Sequence, residues 1–432
     1  MKILKSNIIE KDILKYLLSK GGVSFLFRII GMILSFFNIW LISNFFDTEA
    51  YGIFSLVQTV ILILSVIFTL GVQNVLIIEI NNQLNDGVDH SHSFLLKTSK
   101  LVLVASIVPI LILYFGKEML SDLFNNKNLI KHFEFIAITI PFLLLHEVIL
   151  YYFIALKKFV RFGFFMFFLP NIFFTTAILT FRNLITDGFY ITVLFCLSYT
   201  LTFLIEFVLT FKSFKFKASN KKLLSYKNIL QKALPMMFSG IMVLLLNWTD
   251  ILMLGVMKSE KEVGIYNAAF KIGFMVLIII STINVIIVPK ISELFQEGKL
   301  IELKKLLNRS TQLITVLTLP IVLVLVIFGK YILAQFGPDF IEGYLVLVII
   351  TLSSFFSSIC GNVDQILNFT NNQSALLKIN IFSLLLNVAL NFFLIDNYGI
   401  EGAATASLIS TIFLNTFCVI YIKRKLGFYT LF

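Results

Sequence analysis

The stretch TQLITVLTLPIVLVLVIF, residues 311–328, has no charged side chain and is followed at once by Gly329-Lys330. A helix needs roughly 20 apolar residues to cross about 30 Å of hydrocarbon, so this stretch predicts a membrane span. Similar apolar runs lie near residues 22–45, 52–78, 94–115, 129–156, 159–181, 189–211, 234–257, 263–289, 341–370, 375–395 and 401–422. The sequence therefore predicts an all-α, polytopic membrane protein with twelve transmembrane helices.

The composition of the whole chain agrees with this prediction. The 432 residues are 58% hydrophobic and 14% charged, with a mean hydropathy of +0.94, which excludes a water-soluble protein. The cysteines Cys196, Cys360 and Cys418 fall inside apolar runs, and their spacing matches neither a zinc site nor a disulfide framework. The first apolar run is too long for a signal-peptide core, so we expect it to remain as span one.

Lysine and arginine are unevenly distributed between alternate connections. The N-terminal segment, every second connection and the tail hold 25 of them, whereas the intervening connections hold 7. Because Lys and Arg accumulate on the cytoplasmic side, both termini are predicted to be cytoplasmic. Most of the net charge of +11 is then a topology signal. Binding of anionic bilayer lipids is a secondary interpretation, and nucleic-acid binding is not supported.

The longest connection divides the spans into two sets of six. We interpret residues 1–211 as an N-terminal six-helix lobe, residues 212–233 as a cytoplasmic basic linker, and residues 234–432 as a C-terminal six-helix lobe. The alternative for the linker is a solvated basic loop that only fixes topology.

An internal repeat supports this division. DTEAYGIF, residues 47–54, and SEKEVGIY, residues 259–266, occupy corresponding connections 212 residues apart. A second pair, Asp187-Gly188 and Glu401-Gly402, is 214 residues apart, and two matches at nearly one offset indicate duplication. Since each half has an even number of spans, a pseudo-twofold axis along the membrane normal is predicted, as in transporters that rock two bundles about a central site.

Polar residues inside the predicted spans are the candidate functional residues, because charge in hydrocarbon is costly and usually functional. Stripes of Ser, Gly, Asn and Gln on spans one, two, ten and eleven are either helix-packing seams or the wall of a water-filled passage. The candidates for a substrate-translocation cavity are Arg28, Asn38, Gln58, Asn247, Asp250, Lys271, Asp364 and Asn387. The candidates for protonation or ion coupling are Glu147 and Asp364.

Lys271 is the strongest single candidate. It lies about eight residues, roughly 12 Å, inside the predicted outer end of its span, too deep to reach water easily. Asp250 has a similar depth, so a structural Asp250–Lys271 ion pair is the alternative. Glu206 and Lys378 are shallower and are expected to extend to the interface.

Motifs for catalysis are missing from the sequence. His146-Glu147 lacks the second histidine of a zinc-protease motif, and the Gly-Lys pairs lack the rest of a phosphate-binding loop. We therefore predict a protein that is not an enzyme and has no cofactor. An integral enzyme of glycan assembly is the weaker hypothesis.

Four stretches resemble the polysaccharide transporter family, the Wzx-type flippases of the multidrug/oligosaccharidyl-lipid/polysaccharide exporter superfamily. They are residues 28–31 (RIIG), residues 49–56 (EAYGIFSL), residues 250–255 (DILMLG) with 263–269 (VGIYNAA), and residues 386–387 with 398–404 (YGIEGAA). The pattern is specific to the family but not to a substrate.

The resemblance implies two lobes around a central cavity. It also implies outward transfer of undecaprenyl-diphosphate-linked oligosaccharide repeat units of O-antigen, capsule or exopolysaccharide across the bacterial inner membrane by alternating access. Spans one and eight flank a lateral opening in that family, so Arg28 and Lys271 would neutralise the diphosphate. Coupling to a proton or sodium gradient and partners such as a polymerase are expected, and cation-coupled multidrug export is the alternative.

Overall fold

The computed structural model describes residues 22–85, 90–184, 187–212 and 224–430, and these residues are helical without a strand. The first helices are α1 (Gly22–Phe45), α2 (Thr48–Phe68), α3 (Val72–Asn85), α4 (Ser91–Ala105), α5 (Ile107–Phe115), α6 (Lys117–Leu123), α7 (Leu129–Ala155), α8 (Phe159–Gly163), α9 (Leu169–Phe181) and α10 (Gly188–Lys212). They are followed by α11 (Tyr226–Met257), α12 (Glu260–Phe274), α13 (Leu277–Gln296), α14 (Leu300–Ala334), α15 (Tyr344–Cys360), α16 (Val363–Phe369) and α17 (Gln373–Leu426).

Short turns of other helix types complete the described chain. A π-helical turn, Phe164–Phe168, joins α8 to α9, and 3-10 turns lie at Arg182–Leu184 and Pro338–Gly343.

The protein is an integral, multi-pass membrane protein. Within the described residues, nine helical stretches are long and apolar enough to cross a membrane, or eleven when each of two bent pairs is counted as one span. The longest, α17, contains both of the last two predicted spans. Its 54 residues would extend about 81 Å, more than twice the hydrocarbon thickness, and non-helical backbone at Gly399 (φ 55°, ψ −133°) interrupts it.

Two predicted spans are broken rather than continuous. Positive φ values at Leu70 and Gly71 separate α2 from α3 inside the predicted span 52–78. A positive φ at Gly361 separates α15 from α16 inside the predicted span 341–370. Asp364 therefore lies in the first turn of a short separate helix, and not within one long span.

The chain forms two compact units. The first comprises residues 1–46 and 60–241, and the second comprises residues 47–59 and 242–432. This grouping differs from the predicted lobes, because the first part of α2 packs with the second unit. Residues 226–233 of the predicted linker are the first turns of α11, whereas residues 213–223 and the lysines before residue 22 lie outside the described residues.

Two glycines of the repeated motif explain why residues 47–59 join the second unit. A Cβ atom at Gly52 of α2 would overlap the backbone carbonyl of Glu260, and one at Gly264 of α12 would lie 2.6 Å from the carbonyl oxygen of Thr48. Neither glycine has a positive φ, so glycine is not required by the backbone conformation. It is required because there is no room for a Cβ atom. The two helices can therefore pack backbone against backbone.

Candidate functional site

Lys271 lies in the last turn of α12, within the second unit. Its ammonium group donates a hydrogen bond to Gln58 Oε1 (3.1 Å) and lies 5.9 Å from the ring centroid of Tyr51. The unpaired carbonyl groups at a helix C-terminus also favour a cation. The residue is half-buried, and its charge is held by dipoles and an aromatic face.

Lys271 has no acidic partner among the described residues. Ion pairs within 4.0 Å occur elsewhere in the second unit, for example between Lys261 and Asp339 at 3.0 Å, but not at Lys271. The alternative prediction of an Asp250–Lys271 ion pair was therefore wrong. No described acidic side chain neutralises the charge of Lys271, so this charge can attract an anion.

Asp250 is buried in a hydrogen-bond network of its own. Tyr266 Oη donates to its Oδ2 at 2.6 Å, and the Ser407 hydroxyl donates to the same oxygen. Asn387 and Asn391 donate to Oδ1 at 3.2 Å and 2.7 Å. These four donors satisfy the carboxylate and connect α11, α12 and α17.

Two residues of the polar stripe of span eleven, Asn387 and Asn391, belong to this network. Ser383, Asn387 and Asn391 recur every four residues on α17, and all three are buried within the second unit. Of the two interpretations left open, the helix-packing seam describes this stripe in the structure.

The N-terminal candidates Arg28 and Asn38 lie in the first unit on α1. Arg28 is exposed, and its guanidinium carbon lies 6.0 Å from the ring centroid of Phe167 in the π-helical turn. Asn38 is buried and accepts a hydrogen bond from Thr175 Oγ1 at 2.7 Å. Arg28 thus retains an accessible charge, whereas Asn38 ties α1 to α9.

The remaining candidates have varied surroundings. Asn247 is half-buried, one turn before Asp250 on α11, and Asp364 is half-buried and accepts a hydrogen bond from Gln365 Nε2 at 2.7 Å. Lys378 is exposed, as expected for a side chain that reaches the interface. Glu147 is half-buried on α7, next to His146.

The prediction for Glu206 was wrong. Its side chain is fully buried, and its Oε2 lies 2.7 Å from His146 Nδ1. Depth along a helix does not reveal which face a side chain occupies, so the sequence argument missed this pair. A usable signal was present, since polar residues recur every seven positions on α7 (His132, Thr139, His146) and on α10 (Thr192, Tyr199, Glu206).

The sequence profile of the polysaccharide biosynthesis protein family matches residues 17–295, which is more than half of the chain. The chain belongs to this family. The MatE profile also matches this chain, over residues 235–393. Together the profiles confirm the predicted membership of the multidrug/oligosaccharidyl-lipid/polysaccharide exporter superfamily.

A curated relative of this polysaccharide biosynthesis protein is the probable flippase AglR of Haloferax volcanii. The two are 32% identical over 167 residues, which cover 38% of this chain and 35% of AglR. The chain spans about a third of the length of the curated relatives it matches.

Two solved structures show the fold of this family member. The lipid II flippase MurJ in an inward closed conformation has a TM-score of 0.73 and 16% identity, covering 94% of this chain and 87% of MurJ. An inward-facing multidrug resistance transporter of the MATE family has a TM-score of 0.79 and 11% identity, covering 94% of this chain and 98% of the transporter. These likenesses confirm the predicted all-helical, two-lobe transporter fold.

Proposed function

We propose that this protein is a flippase that moves a lipid-linked oligosaccharide, of the undecaprenyl-diphosphate type, from the cytoplasmic to the outer leaflet of the bacterial inner membrane by alternating access. The family membership, the flippase relative and the MurJ-like fold support this proposal. The observation that carries it is Lys271, a half-buried cation on a membrane helix with no acidic partner among the described residues.

The physical problem in moving such a substrate is its head group. The diphosphate and the sugar hydroxyls are costly to transfer through hydrocarbon, whereas the apolar prenyl tail can remain in it without cost. A cation inside the protein lowers the cost for the diphosphate. Lys271 is suited to this role because the lysine ammonium is a compact charge that can follow a moving phosphate without a fixed geometry. Arg28, in the first unit, is an exposed cation.

The proposal includes an orientation and an energy source. Both termini face the cytoplasm in it, in agreement with the distribution of Lys and Arg. A proton or sodium gradient drives the cycle, since the sequence has no phosphate-binding loop for ATP. A polymerase and other proteins of glycan assembly are the proposed partners.

Cation-coupled drug export is the second candidate function. It is favoured by the MATE-like fold and by the match of residues 235–393 to the MatE profile. The position of Lys271 argues against it, because a cation without an acidic partner repels the cationic compounds that such a transporter would carry.

The test uses the purified full chain in liposomes that contain a synthetic undecaprenyl-diphosphate disaccharide with a fluorescent head group. Flipping makes inner-leaflet probe accessible to an impermeant quencher, so we expect a larger quenched fraction than in protein-free liposomes. Equal quenching in the two preparations would refute the proposal. Extrusion of an ethidium-type cation by the same liposomes would favour the drug exporter.

A further inference from the structure

A row of polar pairs lies between α7 and α10 in the first unit. His132 Nδ1 lies 2.8 Å from Thr192 Oγ1, and His146 Nδ1 lies 2.7 Å from Glu206 Oε2. Both pairs are separated by 60 residues in sequence, so the two helices run parallel and keep one register over four turns. A repeat of seven residues on both helices is typical of such packing.

Both pairs are buried, and only the His146–Glu206 pair contains an acid. The His146 side chain is 2% exposed and the Glu206 side chain is 0% exposed. His146 Nε2 and Glu206 Oε1 have no hydrogen-bond partner among the described residues. Buried polar atoms are normally paired, so two unpartnered atoms on one ion pair suggest a role other than holding the helices together.

Glu147 adds a second acid to the pair. It follows His146 on α7 and is half-buried. Two carboxylates and one imidazolium would carry a net charge of −1 inside the membrane, which is costly. The group becomes neutral when one carboxyl also holds a proton. The charge state of these three residues therefore depends on one proton, and because Glu147 interacts electrostatically with both members of the pair, their titrations are coupled.

Tyr199 of α10 packs edge-on against the His146 ring at 5.9 Å and is the remaining titratable side chain in contact with it. The other charged groups on α7 and on the helices packed against it have partners elsewhere or are exposed. Those with partners are Glu79 of α3 (Lys232), His92 of α4 (Tyr152), Lys97 of α4 (Tyr226 ring), Lys117 of α6 (Glu134 of α7) and Arg161 of α8 (Phe153 ring). The exposed ones are Lys100 of α4, Glu118 and Asp122 of α6, Lys131 of α7 and Lys212 of α10.

We propose that His146, Glu147 and Glu206 form a proton-binding site in the first unit, and that the proton bound there drives transport. The second part rests on the proposed flippase function. The proton adds to a carboxylate oxygen and later leaves from the same three residues, and no other bond forms or breaks. The His132–Thr192 pair, two heptads nearer the predicted outer end, contains no carboxyl group and lies outside this site.

The proton-binding site is tested with the full chain in lipid nanodiscs by infrared difference spectroscopy between about pH 8 and pH 5, the range in which a histidine pair exchanges protons. We expect a protonated-carboxyl band on acidification that is lost in Glu206→Gln or Glu147→Gln. His132→Gln is the matched control, since it removes the other histidine pair of the row, and it should keep the band. A band that persists in both acid variants would overturn the proposal.

Folding and function are separated by two further measurements. If Glu206→Gln aggregates in size-exclusion chromatography, His146→Gln with Glu206→Gln replaces the ion pair by two amides that can bond to each other, and it should also lack the band. In the liposome assay, we expect wild-type flipping to respond to an imposed pH gradient. Equal flipping with and without the pH gradient would overturn the proposed coupling of transport to the proton. If the wild-type protein shows the band but does not flip the probe, the flippase function is refuted and the proton-binding site is not.

Discussion

Gly52 and Gly264 are equivalent residues of the repeated motif, 212 positions apart, and they lie at one contact between α2 and α12. The contact is reciprocal, because the space beside Gly52 is filled by the backbone of Glu260 and the space beside Gly264 by that of Thr48. Thr48 and Glu260 are themselves 212 positions apart. Such reciprocity is characteristic of a twofold-related contact, so the duplicated motif packs against its own copy.

Enlarging either glycine should destabilise the protein. Gly52→Val and Gly264→Val would push side-chain atoms into backbone, and overpacking of this kind typically costs about 1–3 kcal/mol. We expect a lower midpoint in thermal unfolding followed by size-exclusion chromatography. Gly240→Ala is the control, because the added Cβ would make only an ordinary contact of 3.7 Å with Val66. Equal midpoints for all three variants would contradict the close contact.

Removing the charge of Lys271 should abolish flipping without reducing protein abundance. Lys271→Ala and Lys271→Glu lose the cation, while Lys271→Arg keeps a charge and should retain partial activity. The measurement is surface glycan in a deletion strain complemented with each variant, with immunoblots of the membrane fraction. Lys378→Ala is the control because Lys378 is also a lysine of a membrane helix but is exposed. Normal glycan with Lys271→Ala would exclude a role in substrate neutralisation.

Removing the Asp250 carboxylate should affect stability first. Asp250→Ala leaves the buried Tyr266 and Asn387 and the half-buried Ser407 without their acceptor, and each unsatisfied buried group costs about 1–3 kcal/mol. We expect low abundance and a lower unfolding midpoint. Asp364→Ala, at a half-buried acid with one neighbouring donor, should change both much less. A stable Asp250→Ala protein would show that the network is dispensable.

The predicted orientation can be tested by cysteine labelling. The native cysteines are buried and should not react with an impermeant maleimide. A cysteine at Lys127, in an exposed turn on the predicted outer side, should be labelled on intact cells. A cysteine at Lys299, exposed between α13 and α14, should react only after permeabilisation. The reverse pattern would invert the topology.

The class of fold could be predicted because composition and span length dominate it, and both are local properties of the sequence. The breaks at Gly71 and Gly361 could not be predicted, since each lies within an apolar stretch and depends on the surrounding packing. The hydrogen-bond partners of Asp250 could not be predicted either, because Asn387 and Ser407 are 137 and 157 residues away in sequence. Depth singled out Lys271 as a candidate, but only the structure reveals that it bonds to Gln58 and has no acidic partner among the described residues.

The shared register of α7 and α10 restricts how the lengths of these helices can change in evolution. One residue inserted between His132 and His146 would rotate His146 by about 100° around α7 and move it away from Glu206, while His132 would remain opposite Thr192. Only the insertion of a whole heptad in both helices would preserve both pairs. Homologues that keep the acid and the histidine should therefore also keep the 14-residue spacing on each helix.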